Sequence, residues 1–179
     1  YVGSLAIAAI TVVLPITFLI ASVGMAIGIG GGSIISRALG ADNAGKAFKT
    51  FGNQATLTIL FSTLFVSLGF IFEEQILVFF GANGDILEPS KDYFKIILGG
   101  IPFLAFAMMS NNVIRAEGEP KVAMGVLISA AVLNLILDPI FIVMLDMGLE
   151  GAAWATSISY FMSAAYAMWY FFLGKSELR

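Results

Sequence analysis

The first 36 residues carry no charged side chain, and windows of this kind recur down the whole chain. Stretches free of Asp, Glu, Lys and Arg cover residues 1–36, 50–72, 96–114 and 151–174. A fifth runs from 122 to 137 and continues to 145 past one Asp. A helix of about 20 apolar residues crosses the hydrocarbon core of a bilayer, and each window approaches or exceeds that length. Water offers no alternative. The 179 residues are 59% apolar and 12% charged, where an ordinary soluble domain has roughly 25% charged residues. The sequence therefore predicts an all-α integral membrane protein with five transmembrane helices, at about 10–39, 52–72, 94–114, 122–145 and 152–174. Residues 1–9 read as a loop or the lead-in to a helix. Segment 73–93 is too polar to span. It reads either as a short helix from Glu74 to Phe80 lying in the outer interface, closed by Gly81 and followed by a second piece from Asp85 to Lys91, or as an ordinary outer loop.

The basic residues orient these spans. Arg37, Lys46, Lys49, Arg115, Lys121, Lys175 and Arg179 all fall in alternate loops, and they are seven of the nine Lys and Arg. Cytoplasmic loops carry the excess of Lys and Arg, so these loops are predicted to face the cytoplasm. The chain then starts on the outer side, which predicts a further helix upstream. Trp154, Trp169 and Tyr170, near the ends of the fifth span, suit the aromatic belts at the two interfaces.

Few residues inside the spans carry chemistry. The chain lacks both His and Cys, which removes the commonest general base, thiolate chemistry and disulfides. No nucleophile–base pair is present, so an enzyme is the weakest reading, and no basic run points to nucleic acid. Gly24, Gly28 and Gly32 share one helical face, where small residues let helices approach closely in lipid. A phosphate loop is a poor reading, given the apolar setting, the missing strand before it and the missing Gly-Lys-Ser/Thr ending. Asp138 is the one ionisable group well inside a span. A carboxylate in hydrocarbon costs several kcal/mol unless it is partnered or neutralised, so it normally faces a bundle interior or an aqueous cavity. The alternatives are an interhelical hydrogen bond or a place near the outer interface. Asn134 lies one turn earlier on the same face. Pro139 has no N–H to give to the Leu135 carbonyl and predicts a kink there. An amide, a carboxylate and loosened carbonyls suit a hard cation such as sodium, whereas a proton needs only Asp138. Thr156, beyond the short 147–151 turn, falls at a similar depth. Gly118 suits a helix C-terminus and Pro120 the first turn of the next helix.

Three segments resemble the multidrug and toxic compound extrusion (MATE) family of antiporters, in that family's order. They are Gly32-Ser33-Ile34-Ile35-Ser36-Arg37-Ala38-Leu39-Gly40-Ala41, then Asn111 to Lys121 with its Arg115-Ala116-Glu117-Gly118-Glu119-Pro120, then Asn134 to Ile142 followed by Met147 to Thr156. The resemblance implies helices two to six of a six-helix N-terminal lobe, in a multi-pass protein of the cell membrane. It implies export of drugs or organic cations in exchange for sodium or protons, with no cofactor. It places a cation site on Asn134, Asp138 and Thr156, completed by an acidic residue on a first helix that this sequence lacks. The first helix and the C-terminal lobe of the same protein would be its partners, along with the lipid bilayer and the small-molecule substrate. Competing readings are a flippase of lipid-linked oligosaccharide or polysaccharide precursors, which predicts cationic groups in the spans, and a membrane scaffold without transport, which predicts that Asp138 is dispensable.

Overall fold

Burial in the computed structural model follows a helical step from the first turn onward. It describes residues 3–174 and 176–178. Helix α1 (Ser4–Gly40) buries Ala9, Val12, Val13, Ile16, Ile20, Gly24, Gly28, Gly32, Ile35 and Ala38, steps of three or four that keep one stripe on one face. The lead-in expected over residues 1–9 is therefore already helix from Ser4. Leu5, Ala6, Ala8 and Ala9 are strong helix formers, and Ala9 is fully buried. After a turn in which Asp42 takes φ 55°, α2 (Ala44–Ile71) starts with the Asn43 side chain accepting the Lys46 N–H at 3.0 Å.

Helix α2 is organised opposite to a helix in water. Its buried positions include Gln54, Thr58 and Ser62, while Leu57, Leu60, Leu64 and Leu68 are exposed. The Gln54 amide donates to the Ile27 and Gly28 carbonyls of α1, and Gly31 leaves it the room to do so. An apolar exterior over a polar seam is stable only where the surroundings are hydrocarbon.

Short helix α3 (Glu73–Phe79) follows directly and ends before Gly81, whose φ of +105° favours glycine. A 3-10 turn (Gly84–Ile86) leads into α4 (Leu87–Ala116). Glu74 pairs with Lys91 at 2.9 Å and straps α3 to α4, while Glu73 comes no nearer to Lys95 than 3.6 Å.

Helix α4 is the centre of the bundle and packs on α1, α2, α5 and α6. It runs parallel to α1, and the glycine face is the seam between them. A Cβ added at Gly24 would stand 2.6 Å from the Ala105 carbonyl oxygen, and one at Gly28 would stand 2.7 Å from that of Met109. Side chains interlock at both ends of this seam. Ile16, Ile20, Leu77, Phe94 and Ile97 cluster on the α3 side, and Ile35, Met109, Val113, Val126 and Phe171 on the other.

Beyond α4 the chain turns through Gly118 (φ +86°) into α5 (Pro120–Pro139). Gly118 donates its N–H to the Arg115 carbonyl and Pro120 opens the next helix, as the sequence indicates. Helix α5 closes at Pro139 and widens into a π turn over Ile140–Met144, with the Leu145 N–H bonded to the Ile140 carbonyl at 2.9 Å. Helix α6 (Gly148–Leu173) returns antiparallel to α5. Four segments, Ser4–Gly40, Ala44–Ile71, Gly84–Ala116 and Pro120–Met144, are long and apolar enough to cross a membrane by length and composition. Helix α6 matches them in length, but its apolar character is diluted by Ser157, Ser159, Tyr160 and Tyr170. Trp154 and Trp169 are exposed, whereas Tyr170 is not the interface residue expected. One residue is 100° of helix, and that step turns Tyr170 into the core against Phe171.

Glu117, in the α4–α5 turn, holds the segment that follows α6. Its carboxylate accepts the Ser176 hydroxyl at 2.7 Å and the Glu177 N–H at 2.9 Å. Burial raises its pKa above the ordinary carboxylate value, and these two donors only partly oppose the rise. A raised pKa means that the folded state binds the proton more tightly than the unfolded state. Glu117 thus contributes stability that is complete below the unfolded pKa and is lost as pH rises through the folded one. Thermal melting between pH 4 and 8 should show this downward slope, and Glu117→Gln should flatten it. A slope unchanged in the variant would assign it to other groups.

Candidate functional site

Asn134, Asp138 and Thr156 meet where α5 and α6 run side by side. The turn between the helices is short, so residues equidistant from it lie at equal depth. Asn134 and Asp138 are one turn apart on α5 and both are half-buried. The Asn134 Nδ2 lies 3.4 Å from Asp138 Oδ1 and 3.5 Å from Thr156 Oγ1. Both contacts are long, and one N–H₂ group is shared between two oxygens. Thr156 donates its own proton to the Ala152 carbonyl at 2.9 Å, so its lone pairs remain for the site.

Tyr93 is a fourth member that the sequence reading missed. It is buried on α4, its hydroxyl faces Thr156, and it is close enough to sense the charge of Asp138. The signal was present. Tyr93, Ile97, Ile101 and Leu104 repeat at helical spacing, which extends the third span backward past Phe94. The charges at Lys91, Asp92 and Lys95 hid it by marking that turn as interfacial.

A cavity of about 280 Å³ opens beside these groups, lined by Asn134, Thr156, Ser159, Tyr160, Leu127 and Ala131. The hydroxyls of Ser157 and Ser159 on α6 are engaged elsewhere. Ser157 donates to the Ile96 carbonyl of α4 at 3.0 Å, and Ser159 to the Ala155 carbonyl of its own helix at 2.7 Å. Pro139 sits one residue past Asp138, where α5 gives way to the π turn. Gly24, Gly28 and Gly32 lie apart from the site, in the α1–α4 seam. Among the described residues, no three His, Cys, Asp or Glu side chains gather as a metal site. The site is thus one carboxylate with neutral oxygen and nitrogen neighbours. That chemistry suits one proton or one monovalent cation.

Apolar helices packed around the half-buried carboxylate of Asp138 define a multi-pass membrane protein with an ionisable group inside a span. Comparison with known proteins makes this specific. The family described as MatE matches residues 1–140, and the chain belongs to that family. The Multidrug export protein MepA of Staphylococcus aureus (strain NCTC 8325 / PS 47) is 33% identical over 171 residues, 92% of this chain and 37% of that protein. MepA of Staphylococcus saprophyticus is also 33% identical, over 178 residues, 96% of this chain and 38% of that protein. The chain therefore spans less than two fifths of the length of these relatives. Among solved structures, the inward-facing conformation of a multidrug resistance MATE family transporter of the MOP superfamily superposes with a TM-score of 0.93 at 25% identity, over 99% of this chain and 41% of that one. The outward-facing conformation of a MATE family transporter gives 0.89 at 26% identity, over 96% and 38%. The all-α membrane fold is that of part of a MATE transporter, a multi-pass protein of the plasma membrane.

Proposed function

We propose that the full-length protein containing this sequence is a secondary active transporter that exports drugs or organic cations in exchange for sodium or protons. The observation that carries the reading is Asp138, a carboxylate inside an apolar span with Asn134 and Thr156 converging on it. The multidrug export relatives support the direction and the substrate class. Asp138 binds the coupling ion, and Asn134 and Thr156 are its oxygen partners. Substrate enters the space between this lobe and a second one, so these residues hold at most half of its site.

The amide of Asn134 explains how the site accommodates a cation. As it stands, its nitrogen points at the two oxygens and satisfies the carboxylate. Half a turn about the last side-chain bond exchanges nitrogen for oxygen with almost no change of shape. The same three residues then present three oxygens to a sodium ion, and the hydroxyl of Tyr93 adds a fourth polar group at the rim. A proton requires no such turn and sits on Asp138 alone.

The test is export of a fluorescent organic cation from vesicles holding the full-length protein. A sodium gradient and a pH gradient are imposed separately. Export that follows one gradient and ignores the other identifies the ion. Export indifferent to both, in vesicles where the protein is folded and present, would sink the exchange mechanism.

A further inference from the structure

An apolar groove of about 500 Å³ runs between α2, α4 and α6, away from the Asp138 site. Trp154, Ile158 and Phe161 line it from α6; Trp154 and Ile158 each stand two residues from Thr156, some 200° round the helix. On α4 the groove follows successive turns. Lys95 stands at the mouth, Gly99 forms the floor one turn deeper, and Phe103 closes the far end with Phe161 in a T-shaped contact at 5.1 Å. Phe70 of α2 is the opposite wall. Nothing fills the space over Gly99. A Cβ built there meets no atom within 4 Å, whereas one at Gly100 would strike Ser157 at 2.9 Å.

Among the described residues, Lys95 is the cation at the mouth with donors to spare. Lys91 is held by Glu74 and Glu88 at 2.9 and 3.0 Å. Lys95 is half-exposed and its nearest carboxylate oxygen, on Glu73, is 3.6 Å away, beyond hydrogen-bonding distance. A single ammonium above an apolar slot matches an amphiphile with an anionic head and a hydrocarbon tail. A packed protein helix would instead bury Lys95 at a cost of several kcal/mol. We propose that the groove is a phospholipid site, with one acyl chain lying along Gly99 between the aromatic walls and the lipid phosphate on Lys95 Nζ. The lipid comes from the leaflet on the α3 side. Neither Asp138 nor ion exchange enters this inference.

The experiment uses the full-length protein in phosphatidylcholine vesicles containing a trace of phosphatidylglycerol with a diazirine in one acyl chain. After illumination, labelled peptides are mapped by mass spectrometry. The exposed Leu57–Leu64 stripe of α2 serves as the reference for ordinary contact with bulk lipid. Labelling should concentrate on residues 96–103 and 154–161 relative to that stripe. Gly99→Leu places a side chain in open space and should bring groove labelling down to the reference level without lowering the melting temperature. Lys95→Ala should lower it about fivefold, the effect of one basic residue at a membrane surface. Equal labelling of groove and stripe in the parent, or groove labelling that survives Gly99→Leu, would overturn the site. Loss in Gly99→Leu with no change in Lys95→Ala would overturn the phosphate contact. Phosphatidylcholine carrying the same diazirine, labelling as well as phosphatidylglycerol, agrees with recognition of the phosphate that both share.

Discussion

Asp138→Asn should abolish gradient-driven export by the full-length protein while leaving its folding intact. The substitution keeps the shape of the side chain and its polar contacts with Asn134, and removes only the negative charge. A charged hydrogen-bonding partner contributes roughly 1.5–3 kcal/mol, which corresponds to about 10- to 100-fold in ion affinity. Export in vesicles under each gradient, normalised to protein content, measures the loss. Unchanged export at normal expression would remove Asp138 from the coupling mechanism and favour a scaffold. The neighbours then separate the ions. If sodium is coupled, Asn134→Ala and Thr156→Ala each delete an oxygen ligand and should weaken export strongly, with Thr156→Ser retaining it. If a proton is coupled, Asp138 alone suffices, and both variants should stay close to the parent.

The second large effect concerns folding. Gly28→Val should destabilise the protein by about 1–3 kcal/mol or more, because its new side chain is driven against backbone that cannot rotate away. The added Cβ would lie 2.7 Å from the Met109 carbonyl oxygen and 3.0 Å from the Asn112 Cβ. Gly30→Ala is the matched control. Gly30 has nothing within 4 Å of its missing Cβ, and alanine in a helix interior is favoured over glycine by roughly 0.5–1 kcal/mol. Thermal melting in detergent should therefore fall for Gly28→Val and hold or rise for Gly30→Ala. Equal melting of the two variants would mean that α1 and α4 do not meet backbone to backbone.

Helix positions, the glycine seam and the convergence of Asn134 with Asp138 were legible because each depends on spacing within one or two neighbouring helices. Thr156 was legible for the same reason, since the 147–151 turn fixes its depth against Asp138. Other features depended on which faces are covered, and apolar content does not report that in a bilayer. In water a buried stripe stands out against a polar face. Here the lipid-facing stripe of α2 is leucine and its buried stripe contains Gln54, Thr58 and Ser62. For that reason neither the central position of α4 nor the inward turn of Tyr170 could be read. Tyr93 was lost to the three charges around it, of which Lys91 is held by Glu74 of α3. The Lys95 groove depends on the joint placement of three helices and left no linear signal.

The seam between α1 and α4 has a mechanical consequence. Over Gly24 and Gly28 the two helices touch through main chain, so no side chains interleave to hold them in step. Register is set at the ends instead, where Ile16 and Phe94 lock one side and Ile35 and Val113 the other. The pair behaves as a beam clamped at both ends with a smooth middle. Sliding along the axis must break two side-chain clusters at once. Twisting or bowing at mid-membrane breaks neither, and bends the pair at the glycines while the ends stay fixed.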